Sequence, residues 1–224
     1  MNSKNLYDNH YFANRHLNDL NRMESFKQEK DFLYKYINSG NVCDIGCSTG
    51  EFLSYINWPG KKYGMEVNKK AINVAQKSGI NFKKNILNQN QYFDLIIFRG
   101  TIQHLPNPFF YIEKSYNSLK ENGYIVFLAT PNSGSINYRI FQDLPMLDKE
   151  KNFYIPSEKT LCNTLKNFGF TVISVDKPYL KSPYANIFSD HFKFFLNLLL
   201  RCNFKHAFWG NTLNIIAKKN QNKI

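Results

Sequence analysis

The sequence predicts an α/β domain built on a doubly wound, mostly parallel sheet. Strand-like and helix-like patterns alternate along the chain, which is the order of a parallel sheet with helical crossovers. One segment, "FDLIIFR" at 93–99, is apolar at nearly every position, as expected of a strand covered on both faces. Between the first strand and the next helix lies "VCDIGCSTGEFL" at 42–53, where Asp44, Gly46 and Gly50 crowd into one short loop.

Each element has its own signal. Leu17, Leu20, Met23, Phe26, Phe32 and Leu33 form a helical stripe over 16–38, ended by Ser39-Gly40. "NVCDIG" is a short buried strand and "EFLSYI" opens a helix. "KKYGMEV" is the second strand, and Asn68 caps a helix that runs through Lys77 and stops at Gly79. "INFKKNI" is expected as a third strand, and 93–99 as the fourth. A helix over 107–120 leads through Asn122-Gly123 into the strand "YIVFLAT". Ser157 caps the helix "SEKTLCNTLKNFGF", Gly169 ends it, and the strand "TVISVD" follows. Residues 186–203 read as a strongly apolar helix, and "TLNIIAKK" as the closing strand.

Composition narrows the class. The 224 residues are 43% hydrophobic and 21% charged, enough apolar material for one domain with a real core. No 20–50-residue period repeats, and no apolar run approaches a membrane span. The start, "MNSKNLYDNHYFANRH", lacks a secretory apolar stretch, so a soluble, cytoplasmic protein is expected. Cys43, Cys47, Cys162 and Cys202 have no paired spacing and read as reduced thiols. His10, His16, His104, His191 and His206 do not cluster with acids, so no metal is expected. The formal net charge of +12 suits an anionic small molecule, an anionic membrane or nucleic acid. The lysines are spread out, however, which also fits a merely solvated surface and gives no dense stripe for RNA.

The chemistry concentrates at the carboxyl ends of the strands, where ligands of such sheets bind. Glycines in the 42–53 loop let a ligand approach the backbone, and the following helix offers free N–H groups. Glu66 ends the second strand, 22 residues after Asp44, where a carboxylate can accept ribose hydroxyls. Together these features point to a nucleoside ligand. The spacing "GCSTG" is not the G-x-G-x-x-G that hugs a dinucleotide pyrophosphate.

At these residues the chain resembles the class I S-adenosylmethionine-dependent methyltransferases. "DIGCSTG" is similar to their first motif and "GMEVN" to the second, whose acid binds the ribose. "FDLIIFRGTIQHLPNP" resembles the fourth, and "LKENGYIVFLATPN" the segment around strand five. Within that superfamily the stretches Q-H-L-P-N-P and A-T-P-N resemble small-molecule enzymes similar to ubiquinone-biosynthesis and sugar methyltransferases. The resemblance covers residues 40–133. It implies a Rossmann-like, seven-stranded sheet with its last strand antiparallel, which "GNTLNIIAKK" suits. Three departures stand out: Ser48 for the usual central glycine, Asn85 where many members carry an acid, and Asn122 for a proline.

The resemblance also implies roles. Gly46, Cys47, Ser48 and Gly50 would cradle the methionine half of the cofactor, with Asp44 ordering the loop or meeting the ammonium through water. Glu66 would bind the ribose, Val67 would lie against the adenine, and Asn85 and Ile86 would line its other edge. Arg99 and Gly100 would lie near the cofactor carboxylate or sulfonium, although Arg99 reads equally as a structural ion-pair partner. His104 follows strand four and is the candidate base if the acceptor is a hydroxyl. It reads alternatively as a packed side chain or a cofactor contact. Gln103 and Asn132 would orient the acceptor or bind backbone instead. Tyr7 and Tyr11 would belong to a lid or pack the first helix.

The expected organisation is one domain over 1–224. It comprises a helical cap at 1–38, a cofactor half at 39–132 and a substrate half at 133–224 with the apolar insertion 186–203. That helix, with Phe188, Phe192, Phe195, Leu196, Leu199 and Leu200, reads first as core or homodimer contact. Lys193, Arg201 and Lys205 nearby admit a membrane-surface helix. The expected activity is methyl transfer to a small acceptor, a hydroxyl of a sugar or sugar nucleotide, for which positive charge suits a phosphorylated molecule. An RNA methyltransferase and a catalytically inactive cofactor-binding partner subunit are the alternatives.

Overall fold

The computed structural model describes residues 20–148, 150–179, 181 and 185–221. Tyr7 and Tyr11, and the start of the expected first helix, lie outside the described residues. In chain order the elements are α1 (Leu20–Leu33), β1 (Val42–Ile45), α2 (Glu51–Tyr55), β2 (Lys62–Met65) and α3 (Lys69–Lys77). Then come β3 (Phe93–Arg99), α4 (Pro108–Ser118), β4 (Leu119–Pro131), α5 (Ile136–Phe141) and α6 (Glu158–Asn167). β5 (Phe170–Asp176), α7 (Ile187–Leu200) and β6 (Thr212–Lys219) complete the set.

The sheet order is β2-β1-β3-β4-β6-β5. The pairs β1/β2, β1/β3 and β3/β4 are parallel, and β6 is antiparallel to both β4 and β5. The mostly parallel sheet and the antiparallel last strand are therefore as expected. Among the described residues the sheet has six strands, where seven were expected. Of the expected strand 80–86, only Asn81 bridges β2, parallel to Tyr63. That segment would be a sheet edge, and Lys83 and Lys84 follow at once, which suits a blunted edge rather than a long ladder.

Alternation along β3 puts Ile96 and Phe98 in one core and Leu95 and Ile97 in the other, and Phe93 joins the first core across the irregularity between Phe93 and Leu95. β4 repeats the pattern, with Ile125 and Phe127 on one face and Val126 and Leu128 on the opposite face. α1, α2 and α3 cover one face through Phe26, Leu33, Phe52, Leu53 and Ala75. α4 and α6 cover the other through Ile112, Tyr116, Leu161 and Leu165. Neither core contains a residue of 187–200, so the core reading of that helix is corrected; its outward face is exposed.

The expected caps are in place. Asn68 accepts from the N–H groups of Lys70 and Ala71, and Ser157 forms a capping box with Thr160. The expected helix 107–120 gives up its last residues to β4, where Asn122 takes a φ of 63° between the Phe93–Leu119 and Leu95–Tyr124 pairs.

Candidate active site

The 46–50 loop is built by its own chain before any ligand is considered. Gly46 and Gly50 both have φ 77°. A Cβ on Gly46 would lie 2.5 Å from Thr101, and one on Gly50 would lie 2.1 Å from Ile80. The left-handed backbone favours glycine at both positions; at Gly46 the short, branched Thr101 side chain also leaves no room, whereas at Gly50 only the terminal methyl of Ile80 stands in the way. Ser48 also has a positive φ, 52°, which accounts for the glycine found there in similar enzymes.

Glu66 joins the loop to the second strand. Its Oε2 accepts the Ser48 N–H at 3.0 Å, and its Oε1 accepts those of Val67 and Asn68 at 2.7 and 2.9 Å. A carboxylate oxygen has two acceptor sites, so Oε1 is filled and Oε2 keeps one. In this conformation Glu66 can take one ribose hydroxyl rather than the pair. Val67 beside it is half exposed. Glu66, Asn85 and Ile86 line one cleft of about 440 Å³ together with Met65, Phe82 and Tyr111. Asn85 has φ 53°, a conformation asparagine tolerates well, so its identity also has a backbone reason.

Asp44, Gly46, Cys47 and Ser48 line a second, smaller recess with Arg22, Phe26 and Arg99. Asp44 is buried at the end of β1. Burial, reinforced by Asp44 and Glu66, pushes the Cys47 thiol far above its usual range, so it stays an unreactive thiol. All four cysteines are free.

Arg99 is committed elsewhere. Its Nε and Nη2 both donate to the buried carboxylate of Glu29 on α1, and its guanidinium lies 4.4 Å from the Phe26 ring centre. Of the two roles expected for Arg99, the structural ion pair is the one these contacts make; it still borders the recess. Gly100, φ 57°, donates its N–H to Leu128 at the rim.

His104 sits in the turn after β3, where Nδ1 is 2.9 Å from the Lys151 carbonyl. A carbonyl only accepts, so Nδ1 carries the proton and Nε2 the lone pair. Nε2 lies 3.3 Å from the Gln103 amide nitrogen. Burial lowers the His104 pKa below the usual 6.5, against the raising pull of the Lys151 contact, and favours the neutral ring. Gln103 is buried and also donates to the Gly100 carbonyl. Its Oε1 has no hydrogen-bond partner among the described residues. Of the two roles expected for Asn132, the backbone one is the one its contacts make. Its Nδ2 donates to Gly210 and its Oδ1 accepts from Gly134, so both ends of the amide are taken up by backbone.

A third cleft, of about 820 Å³, opens where β4, β5 and β6 meet the same rim. Asn132, Arg139, Ser157, Lys159, Lys177 and Trp209 line it. Apart from Asn132, none of these is apparent from sequence motifs, because their positions converge only when β6 inserts between β4 and β5. Lys177 pairs with Glu158 at 2.7 Å, whereas Arg139 and Lys159 have no ion pair among the described residues.

A glycine-bearing strand–loop–helix turn, tied to a strand-end carboxylate on a 3-layer α/β sheet, defines a nucleoside-binding protein. Residues 14–175 match the family described as a methyltransferase domain, and the chain belongs to that family. It is a class I methyltransferase, and its methyl donor is S-adenosylmethionine. The fold is shared with a methyltransferase of Archaeoglobus fulgidus that depends on S-adenosylmethionine, at 18% identity and TM-score 0.66, over 95% of this chain and 100% of that one. It is shared too with such an enzyme of Thermotoga maritima, described as a possible histamine N-methyltransferase, at 19% identity and TM-score 0.62, over 90% and 92% of the two chains. No curated protein matches the sequence. The residues present fit the donor. One open acceptor site on Glu66, the exposed Val67 and the adjoining cleft suit a nucleoside, and the recess at Asp44 suits an ammonium.

Proposed function

We propose that the protein transfers the methyl group to a hydroxyl of a small anionic acceptor in the cytoplasm, a phosphorylated sugar or sugar nucleotide being the favoured class. The observation that carries this reading is the third cleft, where Arg139 and Lys159 offer cations and Trp209 a flat aromatic wall. An amine acceptor, such as the Thermotoga maritima enzyme's description suggests, would call for a free carboxylate there, and the carboxylate that lines the cleft, Glu158, is paired with Lys177.

The donor supplies an electrophilic methyl group on a sulfonium; the chain aligns the acceptor and handles its proton. Arg139 and Lys159 hold the anion, and Trp209 packs on the ring. Glu66 and the 46–50 loop set the donor's position, which supports in-line attack. His104, neutral and with its Nε2 lone pair oriented by the Lys151 carbonyl, takes the hydroxyl proton as the bond to carbon forms. In this role it displaces the Gln103 amide from Nε2.

Two variants test the reading. Arg139→Ala raises KM for a phosphorylated acceptor by about tenfold or more, the worth of a charged hydrogen bond, and leaves the affinity for S-adenosylhomocysteine unchanged. An equal KM would place the acceptor elsewhere. Glu66→Ala weakens S-adenosylhomocysteine binding by about tenfold or more in calorimetry. Unchanged affinity would remove Glu66 from the donor site.

A further inference from the structure

We infer that the outward face of α7 docks on an anionic lipid surface. This goes beyond methyl transfer and does not depend on the identity of the acceptor.

A helix on a globular protein normally turns its apolar stripe inward. α7 does the reverse. Phe188 is 87% exposed, Phe192 65%, Phe195 55% and Leu199 75%. These positions are spaced by three or four residues and so share one face. Every exposed position of α7 carries Ile, Phe or Leu. Its two buried positions, Asp190 and Asn197, are polar. Asp190, almost fully buried, accepts from the Tyr179 hydroxyl at 2.7 Å and the Asn186 N–H at 2.8 Å. Asn197 is buried as well and bonds the backbone of Phe204 through both ends of its amide. With the Phe194–Phe208 stack at 4.5 Å, these contacts hold the helix without using its apolar face.

The surrounding charge selects the occupant. Lys193 lies on α7, Arg201 caps its end and Lys205 follows, and none is in an ion pair among the described residues. The whole chain carries +12. A second copy related by a two-fold axis would set these cations against themselves. An anionic bilayer surface would neutralise them while taking up the phenylalanines. No helix among the described residues is long and apolar enough to cross a membrane, so α7 would lie in the interface plane. Trp209 contacts His191 of α7, with ring centres 5.1 Å apart, and its indole suits the headgroup level. Because Trp209 also lines the third cleft, docking would hold that cleft beside the headgroups.

The test is co-sedimentation of the whole protein with phosphatidylcholine vesicles, with and without phosphatidylglycerol, alongside sedimentation velocity without lipid. The protein should pellet with the anionic vesicles only, and less so as salt rises. Phe192→Glu and Phe195→Glu should each weaken partitioning by about tenfold or more, and Lys193→Ala and Arg201→Ala by about fivefold each. Melting temperature and S-adenosylhomocysteine affinity should stay unchanged in all four, which separates this result from any failure of the methyltransferase reading. A protein that stays in the supernatant with anionic vesicles overturns the inference. So does equal binding to neutral vesicles, or a dimer that Phe192→Glu dissolves in a protein that ignores lipid.

Discussion

Replacing His104 with Ala is expected to lower turnover by roughly a hundredfold or more, the range for a lost general base, while S-adenosylhomocysteine affinity stays close to that of the parent. The parent's rate should rise with pH as the imidazole deprotonates. The midpoint should fall below 6.5, because burial lowers the pKa in the folded protein. The variant should lose that limb. Two rival roles give different results. A cofactor contact would lower affinity in parallel with rate. A structural role has its own basis, since Lys151 bonds the His104 ring and Phe153 and Tyr154 bond the Gln103 carbonyl, stitching one loop to the turn after β3. In that case His104→Ala would melt early, and His104→Asn, which can still donate to the Lys151 carbonyl, would recover stability and rate together. Near-normal turnover of the true acceptor by His104→Ala would remove the residue from the mechanism.

The second large effect concerns the ion pair between the first helix and the sheet. Arg99→Met should destabilise the fold by about 3–5 kcal/mol, because it leaves the carboxylate of Glu29 buried without its cation. Glu29→Met combined with Arg99→Met should recover most of that loss, since a packed apolar pair rivals a buried ionic one. The pH dependence has a definite sign. Burial raises the Glu29 pKa above its ordinary 4.5, and the Arg99 guanidinium works against that rise. A carboxyl whose pKa is raised by folding contributes stability below 4.5 and loses it as pH rises through the folded value. Without Arg99 the folded value climbs further, so the deficit of Arg99→Met should be smallest in acid and grow toward neutral pH. Denaturant unfolding at several pH values measures this. A flat deficit, or a double variant no better than the single one, would show that Arg99 stabilises the protein by other contacts. S-adenosylhomocysteine titration of the stable double variant then reads any separate role of Arg99 at the recess.

Local signals explain what was legible in the chain. Asp44, Gly46 and Glu66 stand out because a strand–loop–helix turn and a strand-end acid are short-range patterns, complete within a few residues. The caps at Asn68 and Ser157 and the closing strand at 212–219 follow from the same kind of local chemistry. The third strand failed for the opposite reason. "INFKKNI" has strand-like residues, but whether such a segment pairs depends on the sheet edge it meets, and here only Asn81 does.

Contacts across the chain decided the rest. Arg99 reads equally well as a ligand or a structural group until Glu29, 70 residues away, closes on it. Asn132 reads equally as a substrate contact or a backbone anchor until Gly210 takes its amide across 78 residues. The cleft of Arg139, Lys159 and Trp209 has no motif at all, because it exists only where β6 runs back between β4 and β5. The apolar helix was visible as a pattern, but a hydrophobic stripe has the same sequence whether it faces a core, a copy or a lipid. Its direction was set by Asp190 and Asn197, whose hydrogen bonds hold these two positions inward and leave the phenylalanines in solvent.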